Sequence, residues 1–127
     1  LIQIRDADEI SPAIDYHIMR MYLTGRVVVA DDELVSRLIK RKRIRIEVIT
    51  EIRTAVADAL KYTAWLAKIS VSTLNDIEWA FARRACRRDS VWCREQDKKC
   101  PLDHFCTSAF LEARSMITEP DSRHGHY

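Results

Sequence analysis

The sequence predicts an all-α fold of about four to five helices that ends in a loop organised by four cysteines. Only two glycines and three prolines occur in 127 residues. Leu, Ile, Ala, Arg, Glu and Lys abound instead, so the composition suits helices and lacks the turn residues of a many-stranded sheet. Apolar residues also recur three and four positions apart through much of the chain, which is the period of a helix with one buried face. With 47% hydrophobic residues, the chain can bury one domain's core.

Ser11 and Pro12 read as a helix cap followed by a first-turn proline, and Ile14, Ile18, Met21 and Tyr22 follow at helical spacing until Gly25 ends the element. Asp31 caps a second helix whose apolar stripe is Leu34, Val35, Leu38 and Ile39. A long core helix spans Ile46 to Lys68, with Ile49, Ile52, Val56, Leu60, Thr63 and Ala67 on its buried face. Ser72 or Thr73 then caps a fourth helix that carries Leu74, Ile77, Ala80 and Phe81 towards Cys86. No period survives between Cys86 and Cys100, which reads as a loop. A short helix opens at Pro101 and runs through Phe105, Phe110 and Leu111. Residues 1–115 form the expected helical domain, and 116–127 an irregular tail.

The formal net charge of +2 implies no partner by itself, but its distribution is uneven. Arg37, Lys40, Arg41, Lys42, Arg43 and Arg45 make one basic block. Arg83, Arg84, Arg87, Arg88, Arg94, Lys98 and Lys99 crowd the cysteines, diluted by Asp89, Glu95 and Asp97. The first block also reads as a solvated helix end. No apolar run is long enough to span a bilayer and Leu1 to Asp15 does not read as a signal peptide, so the expectation is a cytoplasmic protein with no membrane partner.

In a reducing cytosol, clustered cysteines are more often metal ligands or redox groups than disulfides. Cys86, Cys93, Cys100 and Cys106 are separated by six, six and five residues. A loop of that length can wrap four thiolates around one centre, and the surrounding cations offset the negative charge of a thiolate-ligated [4Fe-4S] cluster. Structural zinc sites favour pairs two to four residues apart, which this chain lacks; a four-cysteine zinc protein and unligated thiols stay open as alternatives.

The run Ile14-Asp15-Tyr16-His17-Ile18-Met19-Arg20 resembles the aspartate segment of helix-hairpin-helix DNA glycosylases of the endonuclease III and adenine-glycosylase type, Val-Asp-x-His followed by apolar residues and Arg. That family ends in an iron–sulfur loop with cysteine gaps of six, two and five, so the outer gaps agree here and the middle one is longer. Trp79-Ala80-Phe81 and Cys100-Pro101-Leu102-x-x-Phe105-Cys106 are similar to the flanking pattern. The resemblance implies double-stranded DNA as partner, Asp15 as the carboxylate that assists departure of a damaged base, the four cysteines as cluster ligands, and Arg87, Arg88, Arg94, Lys98 and Lys99 as phosphate contacts. It also implies that the glycine-rich hairpin and the lysine nucleophile of bifunctional members come from a preceding segment or a second chain, because neither Gly nor Lys stands among the fourteen residues before Asp15. A scaffold that keeps the cluster and DNA contact without the chemistry is the non-enzymatic alternative.

Several of these residues have structural readings too. Asp15 can simply cap a helix. His17 lies two positions on, so the two side chains do not share a face; a structural hydrogen bond suits it better than an Asp–His dyad. Arg20 reads as a phosphate contact or a solvated surface residue. Trp65 and Trp79 sit in apolar segments and read as core rather than base-stacking platforms. His124 and His126 belong to the irregular tail.

Overall fold

The computed structural model describes residues 11–87, 92, 97–104 and 106. Its regular elements among these residues are α1 (Tyr16–Thr24), α2 (Asp32–Ile39), α3 (Ile46–Ala67) and α4 (Val71–Arg84). The fold is all-helical. Helices α1, α3 and α4 pack on one another pairwise. Ile18 and Met19 of α1, Leu38 of α2, and Ile49, Val56 and Leu60 of α3 are its most deeply buried large side chains.

Helix α1 begins four residues later than the Ser-Pro pair suggests. Asp15 is its N-cap, with extended backbone, and the carboxylate Oδ1 accepts the Ile18 N–H at 3.0 Å. Ile14, just before the cap, and Met19, in the first turn, are both buried, which is the placement of a hydrophobic staple. Arg53 of α3 adds a bond from Nε to the Ile14 carbonyl at 3.2 Å. Ser11 has no such support and is exposed. Gly25 closes the helix as expected, yet its own φ is −74°, and the left-handed turn falls on Arg26, at φ 56°.

Asp31 caps α2 as anticipated, its Oδ1 accepting the Leu34 N–H at 2.7 Å. Of the expected stripe, Leu38 is fully buried and the other three are partly so. The basic block follows, and Ile44 is buried in the core beneath it.

The long helix α3 matches its expected span within a residue and ends at Lys68, which is left-handed at φ 55°. Its buried line is Ile49, Ile52, Val56, Leu60 and Ala64, rather than Thr63 and Ala67. Over five turns the 3.6-residue period advances the core face, and spacing of exactly three or four positions can follow either branch. Ser70 caps α4, two or three residues before the expected Ser72 or Thr73. Its Oγ accepts the Thr73 N–H at 3.1 Å, so the two expected caps lie in the first turn instead. Leu74 and Ala82 are buried, but Ile77 is exposed.

Beyond α4 the chain folds back, with the Trp92 N–H donating to the Ala85 carbonyl at 2.9 Å. The expected short helix at Pro101 is described only as a single turn, with Cys106 N donating to Leu102 O at 2.7 Å. Phe105, Phe110, Leu111 and the tail 116–127 lie outside the described residues.

Candidate metal and nucleic-acid site

Both oxygens of Asp15 are engaged. Oδ1 caps α1, and Oδ2 accepts Nε1 of Trp79 on α4 at 2.9 Å. The carboxylate therefore links the start of α1 to the middle of α4. Trp79 is not a core residue: its ring lies at the surface, with the Arg83 guanidinium 4.5 Å from its centroid, the geometry of a cation–π contact. The His17 ring lies against that of Tyr16, the centroids 4.1 Å apart and the planes tilted by 39°.

Arg20 is neither a phosphate contact nor a solvated side chain. It is only 3% exposed. Its Nε donates to the Cys86 carbonyl at 3.0 Å, and Nη2 donates to the carbonyls of Ala82 and Cys86. These are carbonyls at the C-terminal end of α4, where unsatisfied acceptors and the helix dipole favour a cation. Arg20 thus fixes the point at which the cysteine segment leaves the helical body.

A second buried link was not read from the sequence. Tyr22 of α1 donates its hydroxyl to the Glu78 carboxylate on α4, with O···O distances of 2.9 and 2.8 Å. Burial, and then the neighbouring carboxylate, hold the Tyr22 phenol far above its ordinary range. Burial raises Glu78, and the Tyr22 hydrogen bond partly offsets that. The available signal was weak: Glu78 falls among exposed neighbours, and only its position relative to Leu74 and Ala82 places it beside the buried face.

Cys86, Cys100 and Cys106 are half-buried, and Cys93 lies outside the described residues. Cys86 follows the end of α4 and is held through its carbonyl by Arg20. A Cβ built on Gly25 would stand 4.0 Å from the Cys106 sulfur, so Cys106 lies against the end of α1. Arg20, at the middle of α1, thus bonds the carbonyl of the first cysteine of the run, and the last cysteine lies against the end of the same helix. Thiolates are the donors that iron–sulfur clusters use. Even so, no group of three or more cysteine, histidine, aspartate or glutamate side chains placed to hold a metal occurs among the described residues.

Arg87, Lys98 and Lys99 are exposed on the same segment, and Lys98 Nζ stands 5.9 Å from the Trp92 ring centroid. Arg88 and Arg94 lie outside the described residues. The other basic block is exposed at Lys40, Arg41, Lys42, Arg43 and Arg45, whereas Arg37 turns back and donates from Nη2 to the Arg43 carbonyl at 2.7 Å. No described helix is long and apolar enough to cross a membrane.

No family model, curated protein or solved structure matches the chain. The functional reading therefore rests on the chain's own residues. Sequence reasoning missed one surface: Tyr62, Trp65 and Leu66 are exposed at the end of α3, although the apolar composition there suggests core.

Proposed function

We propose that this chain is a DNA-binding iron–sulfur domain of the base-excision glycosylase-like kind, with Cys86, Cys93, Cys100 and Cys106 as cluster ligands. The observation that carries the reading is that both ends of the cysteine segment are tied to one helix: Arg20 of α1 bonds the Cys86 carbonyl, and Cys106, twenty positions further on, lies against the end of α1. A cluster held by these thiolates would give the cysteine segment a fixed centre. Arg87, Arg88, Arg94, Lys98 and Lys99 then present cations to duplex phosphates, which gives affinity without sequence readout. Glycosidic cleavage, with Asp15 as the assisting carboxylate, would in addition require a hairpin that grips the DNA backbone.

A second reading keeps the cluster and DNA contact but not the chemistry. It is favoured by one observation: each Asp15 oxygen already accepts a structural hydrogen bond. An aspartate so placed accounts for its own presence as a cap.

Anaerobic purification tests the cluster. Brown protein with broad absorbance near about 400 nm, and about four iron and four sulfide per chain, is the expected result. Colourless protein with stoichiometric zinc overturns it in favour of the four-cysteine zinc site. Duplex affinity should fall steeply with salt, with a log–log slope approaching about −4.5 if all five cations meet phosphates. A flat salt response removes DNA as the partner. Base release that survives Asp15→Asn unchanged selects the second reading for this residue.

A further inference from the structure

Trp65 is 70% exposed and Tyr62, one turn earlier on α3, is 61% exposed. Their rings are stacked, with centroids 5.7 Å apart and planes 27° apart. Single exposed apolar residues are ordinary, but this pair is continuous with exposed Leu66 and Ile69 and forms a patch. Lys61 and Lys68 flank it, and no acidic residue occurs from 59 to 75. A groove of about 340 Å³ runs between the end of α3 and the start of α4, with Trp65 and both lysines on its walls.

Two kinds of macromolecule use exposed aromatic side chains. Protein interfaces bury them in cores from which lysine is depleted. Sites for unpaired nucleic acid instead combine aromatic faces with cations that follow the phosphate backbone. The mixture found here, two stacked rings flanked in the chain by two lysines, is of the second kind. Duplex DNA would gain little from it, since paired bases keep their faces inside the stack. We propose that the Tyr62–Trp65 face, with Lys61 and Lys68, is a stacking platform for single-stranded nucleic acid. Unpaired bases lie on the exposed indole, and the two lysines neutralise adjacent phosphates. Stacking is tolerant of base identity, so the platform holds a strand without reading it. This site is separate from the cysteine segment and does not depend on a cluster.

The test is binding of the full chain to a fluorescently labelled 15-nucleotide oligothymidylate, followed by anisotropy. Trp65→Ala is expected to weaken binding roughly tenfold or more, and Trp65→Phe to retain most of it. Replacing Lys61 and Lys68 together by alanine should reduce the magnitude of the salt slope by about 1.4, the value for two phosphate contacts on a single strand. Arg87→Ala with Lys98→Ala should weaken duplex binding more than oligothymidylate binding, and Trp65→Ala should do the reverse, which separates this platform from the cysteine segment. Because Trp65 is exposed, circular dichroism should show unaltered helix content in its variants. Wild-type affinity in a folded Trp65→Ala variant overturns the proposal. So does a dimer that Trp65→Ala converts to monomer in sedimentation while the wild-type chain ignores oligothymidylate, since the patch is then a contact between copies of the chain.

Discussion

The guanidinium of Arg20 on α1 is bonded to the carbonyl of Cys86, sixty-six positions further along the chain. The same group also reaches the Ala82 carbonyl at 3.1 Å. A cation buried to this extent needs several acceptors, and the open carbonyls at a helix end provide them. The exit of the cysteine segment from α4 is consequently tied to the helix against which its last cysteine lies.

Arg20→Met should therefore destabilise the fold by about 2–3 kcal/mol, because two carbonyls lose a charged donor and part of the buried stem is exchanged for one of different shape. Arg20→Lys keeps the charge but not the forked geometry, and should recover less than half of the loss. Urea denaturation checks both, through a lower midpoint at unchanged slope. A shift equivalent to less than about 0.5 kcal/mol for Arg20→Met would place the side chain in solvent after all.

Asp15→Ala should cost about 1–2 kcal/mol, since it removes the α1 cap and leaves the Trp79 indole N–H without its carboxylate. Asp15→Asn retains capping ability and should cost much less. Fluorescence offers a local readout. Both variants should change Trp79 emission, measured against Trp79→Phe, whereas a simple cap with no link to α4 would leave that emission alone.

The helices were legible because they rest on patterns with a single physical cause. Asp31 before an apolar stripe, and the run from Ile49 to Leu60, specify cap and buried face directly. The start of α1 was misplaced because Ser11-Pro12 and Asp15 are both good helix starts on local grounds; the long-range contacts of Arg53 and Trp79 decide between them. Trp65 was misread for the opposite reason. Its apolar neighbours satisfy the pattern of a core, but Ala64 takes the inward position and turns the indole outward. Arg20 was read as exposed because local sequence cannot show that a helix end sixty residues away presents open carbonyls. The cysteine spacing was plain in the sequence, yet spacing gives reach rather than convergence. The contacts of Cys86 and Cys106 with α1, and the Trp92 bond back to Ala85, bear on where that segment goes.

The Tyr22–Glu78 link should make stability depend on pH in a direction opposite to that of an ordinary ion-paired carboxylate. Burial raises Glu78 above 4.5, so the native state keeps its proton where the unfolded chain has released it. The contribution is fully present below 4.5 and is lost as pH rises through the folded value. Glu78→Gln should flatten this part of the stability profile. Tyr22→Phe should shift the window upward, because the hydrogen bond that lowers Glu78 is gone. Carbon-13 titration of the Glu78 carboxyl reports the shift, and a downward movement in Tyr22→Phe would contradict the buried pairing.

Lys68 offers a way to separate stability from the proposed strand contact. Three non-glycine residues among those described have positive φ: Arg26 after α1, Arg41 after α2 and Lys68 after α3. All three are cationic, which suits a helix C-terminus electrostatically but not sterically, since a side chain in the left-handed region is disfavoured by about 1 kcal/mol or more relative to glycine. Lys68→Gly should consequently raise stability by about 0.5–1 kcal/mol, after the extra entropy of an unfolded glycine is set against the relieved backbone. The same change deletes one of the two ammonium groups beside Trp65. A variant that unfolds at a higher temperature yet binds oligothymidylate more weakly would show that the turn keeps a lysine for its charge at the expense of backbone comfort. Raised stability with unaltered binding would instead leave Lys68 a helix-end residue with no part in holding a strand.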